Sequence, residues 1–239
     1  MKKKIRALLL SAGFGTRLRP LTNKIPKCLV KINEESLLIN WLNKLEIIGC
    51  DEVLINTHYL SSQVDIVIKN WDQKKLKVRT VYEEKLLGTA GTLRKNSKFF
   101  ENSLGLLIHA DNFTTLDLKK FLKSHYSRQE KCNISMVTFK TNNPCQCGIV
   151  EVDQNYVLKN YYEKVRNPPS NIANGALFAF EESFLNYFLS LPISYDNFSA
   201  QVVPLLKGKV QTYFTNNMFI DIGSPESLKL AINLSQNLK

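Results

Sequence analysis

The chain is 239 residues long and 44% hydrophobic, with a formal net charge of +11 and five cysteines. That length and apolar content fill the core of one large domain or two small ones. No apolar run approaches the roughly 20 residues that span a bilayer, so a soluble protein without membrane association is expected. The odd cysteine count, with only Cys145 and Cys147 close together, is weak ground for a metal cluster and points to buried or incidental thiols in a reducing, cytoplasmic setting. The positive charge suits nucleic acid, a small phosphorylated substrate, or simply a solvated basic surface, since the lysines are spread along the chain.

In chain order, the first strand is expected at Ile5–Ser11, running into the stretch LLLSAGFGTRLRPLTNKIPKCLV at residues 8–30. A secretory leader does not fit there: the apolar run Ala7–Leu10 is too short, and Arg17 and Arg19 follow almost at once. Next come helix Leu37–Ile48, strand Glu52–Thr57, helix Gln63–Trp71, strand Val78–Tyr82 and helix Thr89–Lys95. Strand Leu104–His109, helix Leu116–Ser127 and strand Ile134–Phe139 continue the alternation. Such alternation calls for a mostly parallel sheet with helices on both faces, and apolar runs such as GLLIHA agree with burial on both sides. Beyond residue 140 the pattern turns to short strands, Ile149–Val152 and Ala176–Phe180, with turn signals and the polar loop RNPPSN between them. Helix Glu182–Leu189, strand Val210–Phe214 and helix Pro225–Ser235 follow. The expected fold class is therefore α/β: a single domain with a Rossmann-like three-layer α/β/α build, a mostly parallel mixed sheet and a small antiparallel sub-sheet.

Ligands of such sheets bind at the carboxyl ends of the strands. Three stretches belong at that rim: the loop after the first strand, HADN at 109–112, and FIDIGS at 219–224. The loop is not a Walker A motif, and Leu18 stands where a dinucleotide fingerprint needs its third glycine. What remains suits phosphates. Gly13 and Gly15 let backbone N–H groups approach an anion, Arg17 offers a planar fork of donors, and Lys27 adds a point charge. Both cations sit in a rim loop, so neither is expected to contribute much to stability.

The loop resembles the signature of sugar-1-phosphate nucleotidylyltransferases, of the mannose-1-phosphate guanylyltransferase or glucose-1-phosphate thymidylyltransferase kind. The resemblance continues through EEKLLGTAGTL at 83–93, HADN, CGIVEVD at 147–153, YEKV at 162–165, NGALF at 174–178 and FIDIGSPES at 219–227, in the family's order. Departures include Ala12 for the first loop glycine, Ala110 before the metal-binding aspartate, and Val165 for the usual proline. The resemblance implies attack by a sugar-1-phosphate oxygen on the α-phosphorus of a nucleoside triphosphate, giving a nucleotide-sugar and pyrophosphate. It implies catalytic roles for Arg17 and Lys27. Nucleotide contacts fall to Ser11, Ala12, Gly13, Gly15, Thr16, Glu83, Gly88 and Thr89, and Mg²⁺ to Asp111 and Asp221. The sugar phosphate falls to Asn112, Gly148, Glu163, Lys164 and Asn174, with Glu163 accepting from two sugar hydroxyls, Asn174 bonding another and Lys164 meeting the phosphate. Residues 1–140 would form the nucleotide-binding part and 141–239 the sugar-binding part with the C-terminal helices, and a homodimer is the expected assembly.

Asp117 is the better cap for the helix that follows, which frees Asp111 for the metal. His58 and His125 read as structural or surface groups, while His109 stands close to the metal aspartate. At the base, the resemblance points to Glu83, with Glu84 beside it as the alternative. An ionised carboxylate only accepts, and guanine presents adjacent N1–H and N2–H₂ donors, so GTP is preferred over UTP and dTTP, and the same reaction with UTP, dTTP or CTP is the alternative. A glycosyltransferase of related fold would usually carry Asp-x-Asp where HADNF stands. A nucleic-acid binder would interleave Phe113, Tyr161 and Tyr162 with cations, and this chain does not.

Overall fold

The structure is a computed structural model that describes residues 3–72 and 75–236. Its elements follow the expected alternation, with boundaries moved by one or two residues in most cases. They are β1 (Lys4–Leu10), β2 (Lys31–Ile32), β3 (Glu35–Ser36), α1 (Leu37–Ile47), β4 (Glu52–Thr57), α2 (Ser61–Asn70), β5 (Lys77–Tyr82) and α3 (Gly88–Lys95). Then come β6 (Ser103–His109), β7 (Asn112–Thr114), α4 (Leu118–Tyr126), β8 (Ile134–Lys140), β9 (Gly148–Val152), β10 (Leu158–Glu163) and β11 (Ile172–Phe180). The last are α5 (Glu182–Ser190), β12 (Val210–Thr215), β13 (Phe219–Asp221) and α6 (Pro225–Gln236). No described helix is long and apolar enough to cross a membrane.

Local chemistry accounts for these boundaries. Helix α1 begins where the Ser36 hydroxyl accepts the Ile39 N–H, and it buries Leu38, Trp41, Leu42 and Leu45 on one face. Helix α4 begins at Asp117, whose carboxylate accepts the N–H groups of Lys119 and Lys120, the cap expected of it. Asn33 and Glu34 both take positive φ between β2 and β3, the geometry of a tight two-residue hairpin. That hairpin, β7, β10 and β13 were not expected from the sequence; the two-strand ribbons are too short for any alternation to register.

The chain forms two compact units. One comprises the described residues up to Arg6 with Leu87–Ile108 and Leu116–Asn217; the other comprises Ala7–Leu86, His109–Thr115 and the described residues from Met218. In the first unit, β11 runs antiparallel to β6, β8 and β9, β10 runs antiparallel to β9, and β12 runs parallel to β8. Its core is a run of phenylalanines, Phe178, Phe180, Phe184, Phe188 and Phe198, in mostly tilted and edge contacts. In the second unit, β4 and β5 pair in parallel across α2, and β7 and β13 form an antiparallel ribbon. The fold is α/β with a mixed sheet, as expected. The antiparallel portion is not set apart, because β11 joins it directly to β6.

The first unit also contains a polar cluster unrelated to the motifs. His125 is fully buried; its Nδ1 lies 2.8 Å from the Ser135 hydroxyl and its Nε2 3.3 Å from Glu181. Glu181 also accepts from Arg128 and Lys3. The bond from His125, with both cations, holds the Glu181 carboxyl near 2. Burial drives the His125 pKa below its ordinary value despite Glu181, so the ring is neutral, donating from Nε2 and accepting at Nδ1. A histidine with a depressed folded pKa binds its proton more readily in the unfolded chain. Its contribution is therefore complete above the unfolded value of about 6.5 and is lost as pH falls below it. Urea midpoints measured between pH 8 and 5 should fall on the acid side, and His125→Gln should flatten that slope while lowering the midpoint throughout.

Candidate active site

The phosphate-loop candidates lie in the second unit. Ala110 N–H donates to the Leu10 carbonyl at 3.1 Å, which sets Asp111 beside the end of β1, where the loop begins. The β7–β13 ribbon pairs Asn112 with Asp221, and Ile222 N–H donates to the Asp111 carbonyl, so the two aspartates emerge together. Lys27 meets both: its Nζ is 2.5 Å from Asp111 Oδ2 and 3.3 Å from Asp221 Oδ1. Arg17 reaches toward the same Asp221 at 4.0 Å. The resulting cluster has two carboxylates and two cations.

Lys27 and Arg17 differ in environment. Arg17 is 68% exposed, whereas Lys27 is 12% exposed. Burial disfavours the Lys27 ammonium, but the two carboxylates outweigh it and hold its pKa above the ordinary value. Burial likewise opposes ionisation of Asp111, and Lys27 with His109 overcomes it, so that carboxyl titrates below its usual range. Lys27 is therefore part of the internal charge balance as well as a rim cation.

The loop owes its shape to Gly15 and its anchors. Gly15 has φ +63, accepts from the Thr22 hydroxyl and from Leu18 N–H, and leaves only 2.9 Å between an added Cβ and Thr22 Cγ2. Gly13 has open space around it. Beneath the loop, Leu18, Val30, Ile32, Leu37, Phe113, Ile222 and Ala231 form one buried cluster, so the loop, the ribbon and α6 share a foundation. Ala12 is buried in the same loop, and Thr16 opens a single helical turn.

Glu83 follows β5 and is 1% exposed. Ser11 donates its N–H to Asn56 Oδ1 and its hydroxyl to the Asn56 carbonyl, and the Asn56 amide donates to Glu83 Oε1 at 3.1 Å. Asn56 ties Glu83 to the start of the phosphate loop, a role that its place inside a strand did not signal. His58 bonds the Glu83 carbonyl and packs between Phe14 and Tyr82, a structural position. Asn112 is buried, its carbonyl accepting from Trp41.

The remaining candidates lie in the first unit. Gly88 and Thr89 open α3, where the Thr89 hydroxyl accepts the Phe198 N–H and Ala90 N–H donates to Asp196. Glu163 lies opposite Gly148 in the β9–β10 register, and Lys164 Nζ is 3.8 Å from its Oε1. Both N–H groups of the Asn174 amide are engaged, by Tyr161 and Ser199, so toward a sugar Asn174 offers only its carbonyl oxygen. Tyr161 and Ser199 are further members that the motif blocks did not mark.

A nucleotidyl transferase family profile matches residues 6–237 of the chain. The chain belongs to that family. It is 30% identical over 227 residues to the mannose-1-phosphate guanylyltransferase catalytic subunit beta of Drosophila melanogaster, covering 92% of this chain and 60% of that one. The chain thus spans about 60% of the length of such relatives. It is 27% identical to the D-glycero-alpha-D-manno-heptose 1-phosphate guanylyltransferase of Campylobacter jejuni, covering 93% of this chain and 96% of the relative. Among solved structures, HddC from Yersinia pseudotuberculosis complexed with GMP-PN superposes with a TM-score of 0.78 at 26% identity, covering 96% and 99% of the two chains.

Two stability outcomes follow for the Gly15 loop and its cations. Gly15→Ala should cost about 1–2 kcal/mol in denaturant unfolding, because alanine must hold a left-handed φ against Thr22, while Gly13→Ala should stay within about 0.5 kcal/mol. The expectation that neither loop cation matters for stability holds only for exposed Arg17. Lys27→Met strands two carboxylates together and should cost on the order of 1–3 kcal/mol, less than a fully buried pair because Asp221 is 56% exposed. Equal melting temperatures for Arg17→Ala and Lys27→Met would refute that distinction.

Proposed function

We propose that this nucleotidyltransferase joins GTP to a manno-configured sugar-1-phosphate, forming a GDP-sugar and pyrophosphate. The observation that carries the reading is the Lys27–Asp111–Asp221 cluster beside the Gly15 loop, with Arg17 at its edge. An oxygen of the sugar phosphate forms a bond to the α-phosphorus. The bond from that phosphorus to the bridging oxygen breaks, and its electron pair leaves with pyrophosphate. A phosphate monoester is largely dianionic at neutral pH, so the nucleophile needs no general base. The protein must position two polyanions and neutralise charge, which is what a largely buried ammonium and an exposed guanidinium beside the Gly15 loop supply.

The donor set suits Mg²⁺, which Asp111 and Asp221 would hold: two carboxylates already converge on one cation, Lys27, and Mg²⁺ takes one or two carboxylates with waters and substrate phosphates. When bound, the ion would screen phosphate charge during transfer. For the base, Glu83 is a buried acceptor steadied by Asn56, and guanine presents adjacent donors that match a carboxylate. The guanylyltransferase names of the relatives support the same base, and their mannose and heptose substrates support the manno configuration. Gly148, Glu163 and Asn174 would contact the sugar, with Glu163 accepting from two of its hydroxyls and Asn174 bonding another, while Lys164 would meet its phosphate. Water-soluble substrates of this kind support a cytoplasmic location.

Pyrophosphate release should require the triphosphate, a sugar-1-phosphate and Mg²⁺ together, and Arg17→Ala and Lys27→Met should each lower kcat by about 10²-fold or more. Across the four triphosphates kcat/KM should be highest for GTP, and Glu83→Gln should reduce that preference. A UTP or dTTP preference in the wild type would exclude the Glu83 reading. Absence of pyrophosphate across a broad sugar-1-phosphate panel would exclude the activity.

A further inference from the structure

Tyr161 brings a hydroxyl into the Glu163 cluster. Its side chain lies two residues before Glu163 on the same face of β10, and it is 8% exposed. The hydroxyl donates to Glu163 Oε2 at 2.8 Å and accepts from Asn174 Nδ2 at 3.3 Å. The direction of that chain is set from its far end. Ala176 N–H donates to Asn174 Oδ1 at 2.8 Å, which turns the amide nitrogen toward Tyr161, and Ser199 Oγ takes its second N–H at 3.2 Å.

The backbone is shaped for this. The pairing of β11 with β8 shifts register between Asn174 and Phe178, and Ala176 there takes φ +50. The bulge turns the Asn174 side chain off the regular pleat, and the Asn174–Ala176 bond closes it. Across β9, Gly148 lacks the Cβ that would collide with the Tyr161 hydroxyl. Burial, and then the neighbouring Glu163 carboxylate, push the phenol pKa above its ordinary value, so the phenol keeps its proton throughout the working pH range.

A glutamate carboxylate swings on three torsions, and a lone carboxylate at 27% side-chain exposure has many orientations. Here one oxygen is pinned by the phenol while the other lies toward Lys164. We infer that Tyr161 is a positioning residue that aims Glu163 at the sugar hydroxyls and thereby sets which epimer of sugar-1-phosphate is accepted. A carboxylate held at one angle bonds two hydroxyls of the matching epimer together, and inversion at one carbon removes one of them. A carboxylate free to turn follows either epimer, at lower affinity for the right one.

This inference rests on the sugar-1-phosphate reading above, and steady-state kinetics separates the two. With GTP saturating, Tyr161→Phe retains the ring and removes only the hydroxyl. KM for the manno-configured sugar-1-phosphate should rise about tenfold, and the ratio of kcat/KM between manno- and gluco-configured substrates should shrink about tenfold. KM for GTP and the melting temperature should stay close to wild type; a purely structural tyrosine would move those instead. In a Glu163→Ala background, which removes the acceptor of the Tyr161 hydroxyl, adding Tyr161→Phe should have no further effect on KM for the sugar. Unchanged sugar KM and epimer ratio in Tyr161→Phe, or full additivity of the two changes, would overturn the positioning role. A wild type that releases pyrophosphate with no sugar-1-phosphate would instead overturn the reading on which it stands, and the inference with it.

Discussion

Two carboxylates brought to one place must share a cation, and in this protein the cation is Lys27. Asp111 and Asp221 are joined by the β7–β13 ribbon, and without a positive charge between them that ribbon would hold two like charges together. The loop after β1 delivers Lys27 there. Its course is fixed by the left-handed turn at Gly15 and by Leu18 and Val30, which are buried against Phe113 and Ile222. One hydrophobic cluster thus anchors both partners of the ion pairs, the loop from one side and the ribbon from the other. The strength of those pairs depends on that shared anchoring, since partial burial makes the attraction larger than at the surface while leaving no slack for the partners to drift apart.

The chemistry of the two candidate subsites differs in kind. Around Lys27 the groups carry full charges, and Arg17 and Asp221 face solvent, an arrangement that attracts polyanions at long range and tolerates some play in geometry. Around Glu163 the groups are mostly neutral, half-buried or buried, and linked by directional bonds from Ala176 through Asn174 and Tyr161. Charge neutralisation suits a phosphoryl group, whose oxygens are equivalent. Directional bonds suit a sugar, where epimers differ by the angle of one hydroxyl.

The His125 cluster is a useful contrast. It contains a histidine, a serine hydroxyl and a carboxylate, with strongly displaced titration, yet Ser135 and His125 are both fully buried, so no substrate reaches them. Displaced ionisation there follows from satisfying buried polar groups, and it shows that perturbed pKa values mark a functional site only alongside access.

Periodicity and local residue chemistry in the sequence alone determined the α/β alternation, the exact span of β4 and the cap at Asp117, and the family resemblance singled out the loop after β1 and set Asp111 with Asp221. These properties are local, or are carried by residue types at fixed positions within short blocks. The two-residue and three-residue strands were not legible, because an alternation needs more than one repeat to be read. Only the tertiary structure separated Lys27 from Arg17, since burial depends on what the distant Asp111 ribbon packs against. Only it joined Ser11 to Asn56 and Glu83, or Asn174 to Tyr161 and Glu163. The Ser11–Asn56, Asn56–Glu83 and Asn174–Tyr161 links join segments far apart in sequence, and a hydrogen bond a few tenths of an ångström long or short is decided by register, bulge and rotamer, quantities that pairing between strands creates and no single stretch of chain contains.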